Sequence, residues 1–416
     1  MDSARQLNKP EQLYSHFSDM PQLAQRLNYI QEPQTIAMAK LSRELAAQGH
    51  DVISLSLGEP DFATPKHILD AAKAALDKGY VFYTPVAGYP ELRSAICDKF
   101  LRDNGLAFKP DQIVVSTGAK QALMNAVMAL VDKGDEVIIP TPYWVSYSEM
   151  VRLMEGIPVF VRSTLEQNYK ITPAQLEAAI TPKTKAFMFS SPCNPTGSVY
   201  SLQELKAFAE VFARYPRIHI IADEIYEYIT FTGKHESIAQ FDAIRDRVIT
   251  INGMSKGFAM TGWRIGYLGA SKEIAAACEK IQGQFTSGTN AIAQAASIVA
   301  LNGTREPTNA MRNAYERRRN LVINRLKEIK GLGCNNPEGA FYVFPDISHF
   351  LGKSYQGQRI ETATDLCMYL LNTMHVAMVT GEAFGAPECV RISYATSDDK
   401  LEIAMQRIKT GLEQLS

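Results

Sequence analysis

Between residues 110 and 270 the chain repeats one pattern often enough to restrict its architecture. Short apolar runs rich in β-branched residues recur as IVVS (113–116), EVIIP (136–140), IPVFV (157–161), KAFMFS (185–190), IHIIA (218–222), VITIN (248–252) and IGYLGA (265–270). Segments with helical spacing, such as AKQALMNAVMALVD and SLQELKAFAEVFARY, separate most of them. A strand that is apolar along its whole length must be covered on both faces, and intervening helices supply the cover. The rhythm predicts an α/β fold around a large, mostly parallel sheet. After about residue 300 the pattern changes. A long charged helix is expected at roughly 307–330, then GAFYVFPDI, a helix near 361–374, CVRISYATS and a closing helix. These read as a smaller α+β lobe. The expected division is an extension at 1–20, a segment 21–63 that joins the small domain, a large domain at 64–305 and the small C-terminal domain at 306–416.

Composition narrows the functional classes. With 46% hydrophobic residues in 416, global disorder is excluded. Lys+Arg 43 against Asp+Glu 44 gives a net charge of −1, so nothing draws the chain to nucleic acid. No apolar run approaches the roughly 18 residues of a membrane span, and MDSARQLNKPEQLYSHFSD lacks the apolar core of a signal peptide. A cytoplasmic protein is expected. The six cysteines are scattered without a CxxC pair and read as free thiols; the seven histidines form no HExxH, so no metal site is expected.

Ligands of such sheets bind at the carboxyl ends of the strands. Four places there carry chemistry. In IVVSTGAKQAL a strand runs through a turn at Gly118 into a helix beginning near Ala119, an arrangement that cups anions and serves equally as an ordinary strand–helix connection. The chain has neither GxxxxGK[ST] nor GxGxxG, so no nucleotide loop of those kinds is present. In RIHIIADEIYEY an apolar strand ends on Asp223, with Tyr226 three residues on. In INGMSKGFAMTGWRIGY, Lys256 lies in a Gly-rich turn and Arg264 follows eight residues later. In SPCNPTG, Asn194 is the amide of a loop fixed by two prolines and a glycine. Each alone is also a common solvated or turn residue.

In this order the motifs resemble the fold-type-I pyridoxal-phosphate enzymes, specifically class I aminotransferases of the aspartate aminotransferase family. The resemblance runs from LSLGEPDF (55–62) through YTPVAGYPELR (83–93), STGAKQAL, TPYWVSY (141–147), SPCNPTG (191–197), ADEIYE, SKGFAMTGWRIGY, EGAFYVF (338–344) and VRISYATS (390–397). It implies a large, mostly parallel seven-stranded sheet domain, a smaller α+β domain, and pyridoxal 5'-phosphate as cofactor.

The resemblance also implies roles. Lys256 matches the lysine that carries the cofactor and moves the proton at the substrate α-carbon. Asp223 matches the partner of the pyridine nitrogen, Tyr226 and Asn194 the donors to the phenolic oxygen, and Trp144 the ring that stacks on the cofactor. Gly118, Ala119 and Arg264 match the phosphate cup. Many relatives have Ser three residues before the lysine; here Gly253 stands there, so Ser255 takes over that contact or it is lost. Tyr83 matches a tyrosine that reaches the neighbouring subunit's cofactor, which implies a homodimer with shared active sites. Arg391 matches the clamp on the substrate α-carboxylate, with Gly58 at the same end. Lys120, third in the phosphate turn, matches a cation that favours dicarboxylic substrates.

The expected reaction is L-aspartate with 2-oxoglutarate to oxaloacetate and L-glutamate. An aromatic, alanine, kynurenine-type or prephenate aminotransferase, or a carbon–sulfur β-lyase, would use the same scaffold. The effector-domain regulators that share the fold carry an N-terminal DNA-binding module, for which about 20 extra residues leave no room.

Overall fold

The computed structural model describes residues 23–30 and 34–416, so the extension expected at 1–20 lies outside the described residues. All seven apolar runs become strands of one sheet: β1 Ile113–Thr117, β2 Glu136–Thr141, β3 Ile157–Arg162, β4 Thr184–Ser190, β5 His219–Asp223, β6 Val248–Gly253 and β7 Ile265–Gly269. Their spatial order is β1-β7-β6-β5-β4-β2-β3. The pairs from β6 through β3 are parallel, while β7 is antiparallel to both β6 and β1.

Side chains alternate between two cores, as a pleated strand covered on both sides requires. Val115, Phe187, Phe189 and Ile220 enter one core, while Val114, Ala186, Met188 and Ile221 enter the other. The helix Leu202–Arg214 covers the first face. Ser201 caps it, its hydroxyl accepting from the Glu204 N–H while the Glu204 side chain reaches back. Leu205, Phe208, Ala209 and Phe212 follow at helical spacing, and Phe208 and Phe212 meet Phe187 at centroid distances of 5.9 and 5.3 Å. Only the outer strand β3 keeps substantial exposure, and Pro158 and Arg162 stand on it, as suits an edge.

A second core forms around the helices Glu306–Lys327, Ala363–Met374 and Asp398–Glu413 and a three-stranded sheet of Val379–Thr380, Val390–Ser393 and Tyr342–Val343. The chain near residue 53 belongs to this core. Ile53–Ser54 pairs in parallel with Val376–Ala377, and Ser393 N–H donates to Leu55 C=O at 2.9 Å. Buried Arg318 holds Asp61 with two hydrogen bonds of 2.8 and 3.0 Å, which fixes the next part of that segment. Among the described residues no helix is long and apolar enough to cross a membrane.

Candidate active site

The carboxyl ends of β1, β2, β4, β5 and β6 meet the second core around a cavity of about 450 Å³. Gly58, Ala119, Lys120, Trp144, Asn194, Asp223, Tyr226, Ser255, Lys256, Arg264 and Arg391 all line it. Gly118 stands at its margin. Arg264 reaches this edge because β7 runs antiparallel, which places its start beside the ends of the parallel strands.

Gly118 has φ +83°, and a Cβ there would run into the Arg264 guanidinium. Only glycine allows that turn and that approach together. Arg264 itself has φ +57°, an uncommon conformation for a non-glycine residue, held where its guanidinium packs against Gly118 at the start of the helix Ala119–Leu130. Gly253 lies opposite Gly266 in the β6–β7 ladder, and a Cβ on it would come 2.8 Å from Ile265 C=O. Close packing of the two strands therefore accounts for glycine at that position, and the nearest hydroxyl lining the cavity on this loop is that of Ser255.

Asp223 is the last residue of β5 and is buried. The Tyr147 hydroxyl donates to its Oδ2 at 2.7 Å, and Ile225 N–H donates to Oδ1 at 3.2 Å. Burial pushes its carboxyl up to about 6, against both of these donors. Lys256 Nζ donates to Gly58 C=O. Burial brings its ammonium down to about 8, against the attraction of Glu59 and with the repulsion of Arg391 and Arg264. Arg391 is 2% exposed, with Nη1 donating to Asn194 Oδ1 at 3.0 Å and Nη2 to Ser56 C=O at 2.6 Å. Its Nε–H has no hydrogen-bond partner among the described residues. Lys120 Nζ sits 5.0 Å over the Trp144 ring, and burial, then Arg264, lowers its ammonium.

Tyr83 is not brought to this cavity. It is 99% exposed, beside exposed Val81 and Phe82. Tyr147 and Tyr342 line the cavity without a role foreseen for them, although both stand inside motifs already singled out, TPYWVSY and EGAFYVF. One buried group of metal-ligand types, Glu224, Glu227 and His235, lies outside the cavity lining. Lys99 Nζ stands 2.5 Å from Glu227 Oε1, so the positive charge there is already supplied by the protein.

A lysine, a buried carboxylate and two arginines meet at this sheet edge, and comparison with known proteins makes the chain an enzyme of the aminotransferase class. A model of the family "Aminotransferase class I and II" matches residues 50–408, and the chain belongs to that family. It is 49% identical over 397 residues to the aspartate/prephenate aminotransferase of Cereibacter sphaeroides, covering 95% of this chain and 99% of that one. It is 46% identical to the aspartate aminotransferase of Bacillus subtilis, covering 95% and 100%. Among solved structures, the aspartate aminotransferase of Rhizobium meliloti superposes with a TM-score of 0.92 at 45% identity, covering 95% of this chain and 100% of that one. The Thermus thermophilus aspartate aminotransferase with maleate superposes with a TM-score of 0.89 at 40% identity, covering 94% and 100%.

The lowered basicity of Lys256 has a measurable consequence. In the unfolded chain its ammonium persists to about pH 10.5, in the fold only to about 8. The folded state therefore binds fewer protons across that window, and stability rises with pH through it. In cofactor-free protein, Lys256→Met should be more stable than wild type by about 1–3 kcal/mol below pH 8, allowing for the solvent that reaches this side chain. The difference should shrink from pH 8 to 10.5 and vanish above. Urea unfolding at pH 7 and pH 10.5 checks this; a difference that is flat with pH contradicts it.

Proposed function

We propose that this chain is a pyridoxal 5'-phosphate-dependent aspartate aminotransferase, converting L-aspartate and 2-oxoglutarate to oxaloacetate and L-glutamate. The observation that carries the dicarboxylate preference is Lys120: a cation lining the same cavity as Lys256 and Arg391, its Nζ over the Trp144 ring, with no ion pair to a carboxylate among the described residues. The residues fit the cofactor. Asp223 is a buried carboxylate held by two donors, the Arg264 guanidinium packs against the Gly118 turn at a helix N-terminus, and Arg391 keeps an unpartnered Nε–H.

Pyridoxal phosphate, when bound, supplies the electron sink that makes the substrate α-proton removable. Lys256 would hold it, and its amine, lowered toward neutrality, would take and return that proton at ordinary pH. Asp223 keeps the pyridine nitrogen protonated, since a positive partner restores the charge that burial disfavours. Tyr226 and Asn194 direct O–H and N–H donors at the phenolic oxygen. Trp144 would cover the ring, and Gly118, Ala119, Ser255 and Arg264 would hold the phosphate. Arg391 clamps the α-carboxylate, its fork suited to a planar anion, with the Gly58 backbone beside it. Lys120 meets the second carboxylate. The maleate in the Thermus relative, a four-carbon dicarboxylate, supports this choice. Prephenate is a second acceptor favoured by the name of the Cereibacter relative, and it too carries two carboxylates.

The assembly we propose is a homodimer with shared active sites, working in the cytoplasm. Val81, Phe82 and Tyr83 are 68, 82 and 99% exposed, an apolar strip that a second copy would cover and from which Tyr83 would reach the partner's phosphate. Sedimentation should give a dimer; a fully active monomer would remove this role from Tyr83.

Borohydride reduction of the cofactor-loaded protein should fix the pyridoxyl group on Lys256, found by peptide mapping. A reducible bond that survives in Lys256→Ala sinks the assignment. For selectivity, losing one charge-assisted hydrogen bond costs about 1.5–3 kcal/mol, or roughly ten- to a hundredfold in kcat/KM. Lys120→Ala should lose that factor on aspartate and glutamate and leave an aromatic donor nearly unchanged, while Arg391→Ala should depress all donors alike. An equal loss on aspartate and phenylalanine in Lys120→Ala, with cofactor saturating, would overturn the aspartate preference and leave the aminotransferase reading standing.

A further inference from the structure

Tyr342 touches both ends of the cavity and has no part in the roles assigned above. It lies on the two-residue strand Tyr342–Val343, with Ser393 of the strand Val390–Ser393 directly opposite. Residues opposite each other share a face, and Arg391 shares the face of Ser393. The Tyr342 ring therefore meets the guanidinium, whose Cζ is 4.6 Å from the ring centroid. At its other end the Tyr342 hydroxyl is 2.8 Å from that of Tyr226. The residue is fully buried. A Cβ on Gly58 would stand 2.5 Å from the same hydroxyl, so the backbone of the 55–62 segment is packed down on it.

We infer that Tyr342 is a positioning residue that ties the cofactor end of the site to the carboxylate-binding end, its hydroxyl orienting Tyr226 and its ring supporting Arg391. The inference rests on the function proposed above. Two buried phenols each need a partner, and either of these two hydroxyls can be the donor. When Tyr226 directs its proton at an acceptor in the cavity, Tyr342 can turn its own O–H onto the Tyr226 oxygen. Hydrogen bonds in such a chain polarise one another, which makes Tyr226 the stronger donor.

The ring does a different task. Arg391 commits one Nη1–H to Asn194 and one Nη2–H to Ser56, and needs its three remaining N–H groups for substrate. An aromatic face stabilises the buried charge without using any N–H. A second carboxylate in that place would compete for the fork and for the substrate's own site. Tyrosine is the side chain that offers a ring to one neighbour and a hydroxyl to the other.

Two variants separate the two tasks: Tyr342→Phe removes the hydroxyl and keeps the ring, and Tyr342→Leu removes both. Without substrate, the pH midpoint of the bound cofactor's visible band should rise by roughly half a unit in Tyr342→Phe, because a weakened Tyr226 donor stabilises the phenolic oxyanion less. In a Tyr226→Phe background the same change should move the midpoint no further. Tyr342→Leu should add a loss of roughly tenfold in kcat/KM for every amino donor, carried by KM. If Tyr342→Leu does not fold, Tyr342→Phe and the double variant still decide. A Tyr342→Phe protein that titrates like wild type, or one whose shift persists in the Tyr226→Phe background, overturns the inference alone. A wild type with no reducible cofactor bond on Lys256 overturns the proposed function and this inference with it.

Discussion

A carboxylate buried at the end of the fifth strand is the group around which this site is organised. Asp223 sits where the sheet is covered on both sides, so ionising it there is costly unless other groups compensate. The protein offers two donors, one from the following turn and one from Tyr147, on the helix that opens after β2. Those donors, helped by the charge of Lys256 across the cavity, hold the carboxyl in place, and burial still leaves it raised. Asn194, Lys256, Arg264 and Arg391 line the same cavity around it.

The two cores divide the work of holding them. The sheet core delivers Asp223, Asn194, Lys256 and the Gly118 turn from strand ends whose positions are fixed by long ladders and alternating burial. The second core delivers Arg391 and Tyr342 from a three-stranded sheet, and it holds the 55–62 segment through the Ile53 pairing and the Arg318–Asp61 fork. Lys256 and Arg391 both hydrogen-bond carbonyls of that segment, at Gly58 and Ser56. A shift of one core against the other therefore moves the Lys256 amine and the Arg391 guanidinium relative to each other.

Much of this was legible in the sequence for physical reasons. Strands buried on both faces must be apolar throughout, so the six inner ones announced themselves, the edge strand β3 showed by its β-branched run, and chemistry placed directly after the parallel strands had to lie at one edge. The helix expected at roughly 307–330 formed as Glu306–Lys327, since its charged face and buried Met311, Tyr315 and Val322 follow one period. Hydroxyl partners were not legible. Tyr147 finds Asp223 76 residues away and Tyr342 finds Tyr226 116 residues away, and neither separation leaves a local signature. The reversal of β7 was hidden too, because an antiparallel strand inside a covered sheet is as apolar as its parallel neighbours. The glycine at 253, which stood out as a departure, is explained only by the nearness of β7's backbone.

The reversal of that strand has a mechanical effect. The chain leaves β6 at Gly253, carries Lys256 across the edge of the sheet, and re-enters as β7 at Ile265, directly after Arg264. The segment is a short leash pinned at both ends to adjacent, mutually bonded strands. A tether this brief leaves its closed ends little entropy to gain by loosening. The amine and the guanidinium are thus kept at a nearly fixed spacing. Lys256 and Arg264 therefore face one cavity from a single short segment, like two jaws cut from the same piece of metal, and a displacement of either strand would carry both.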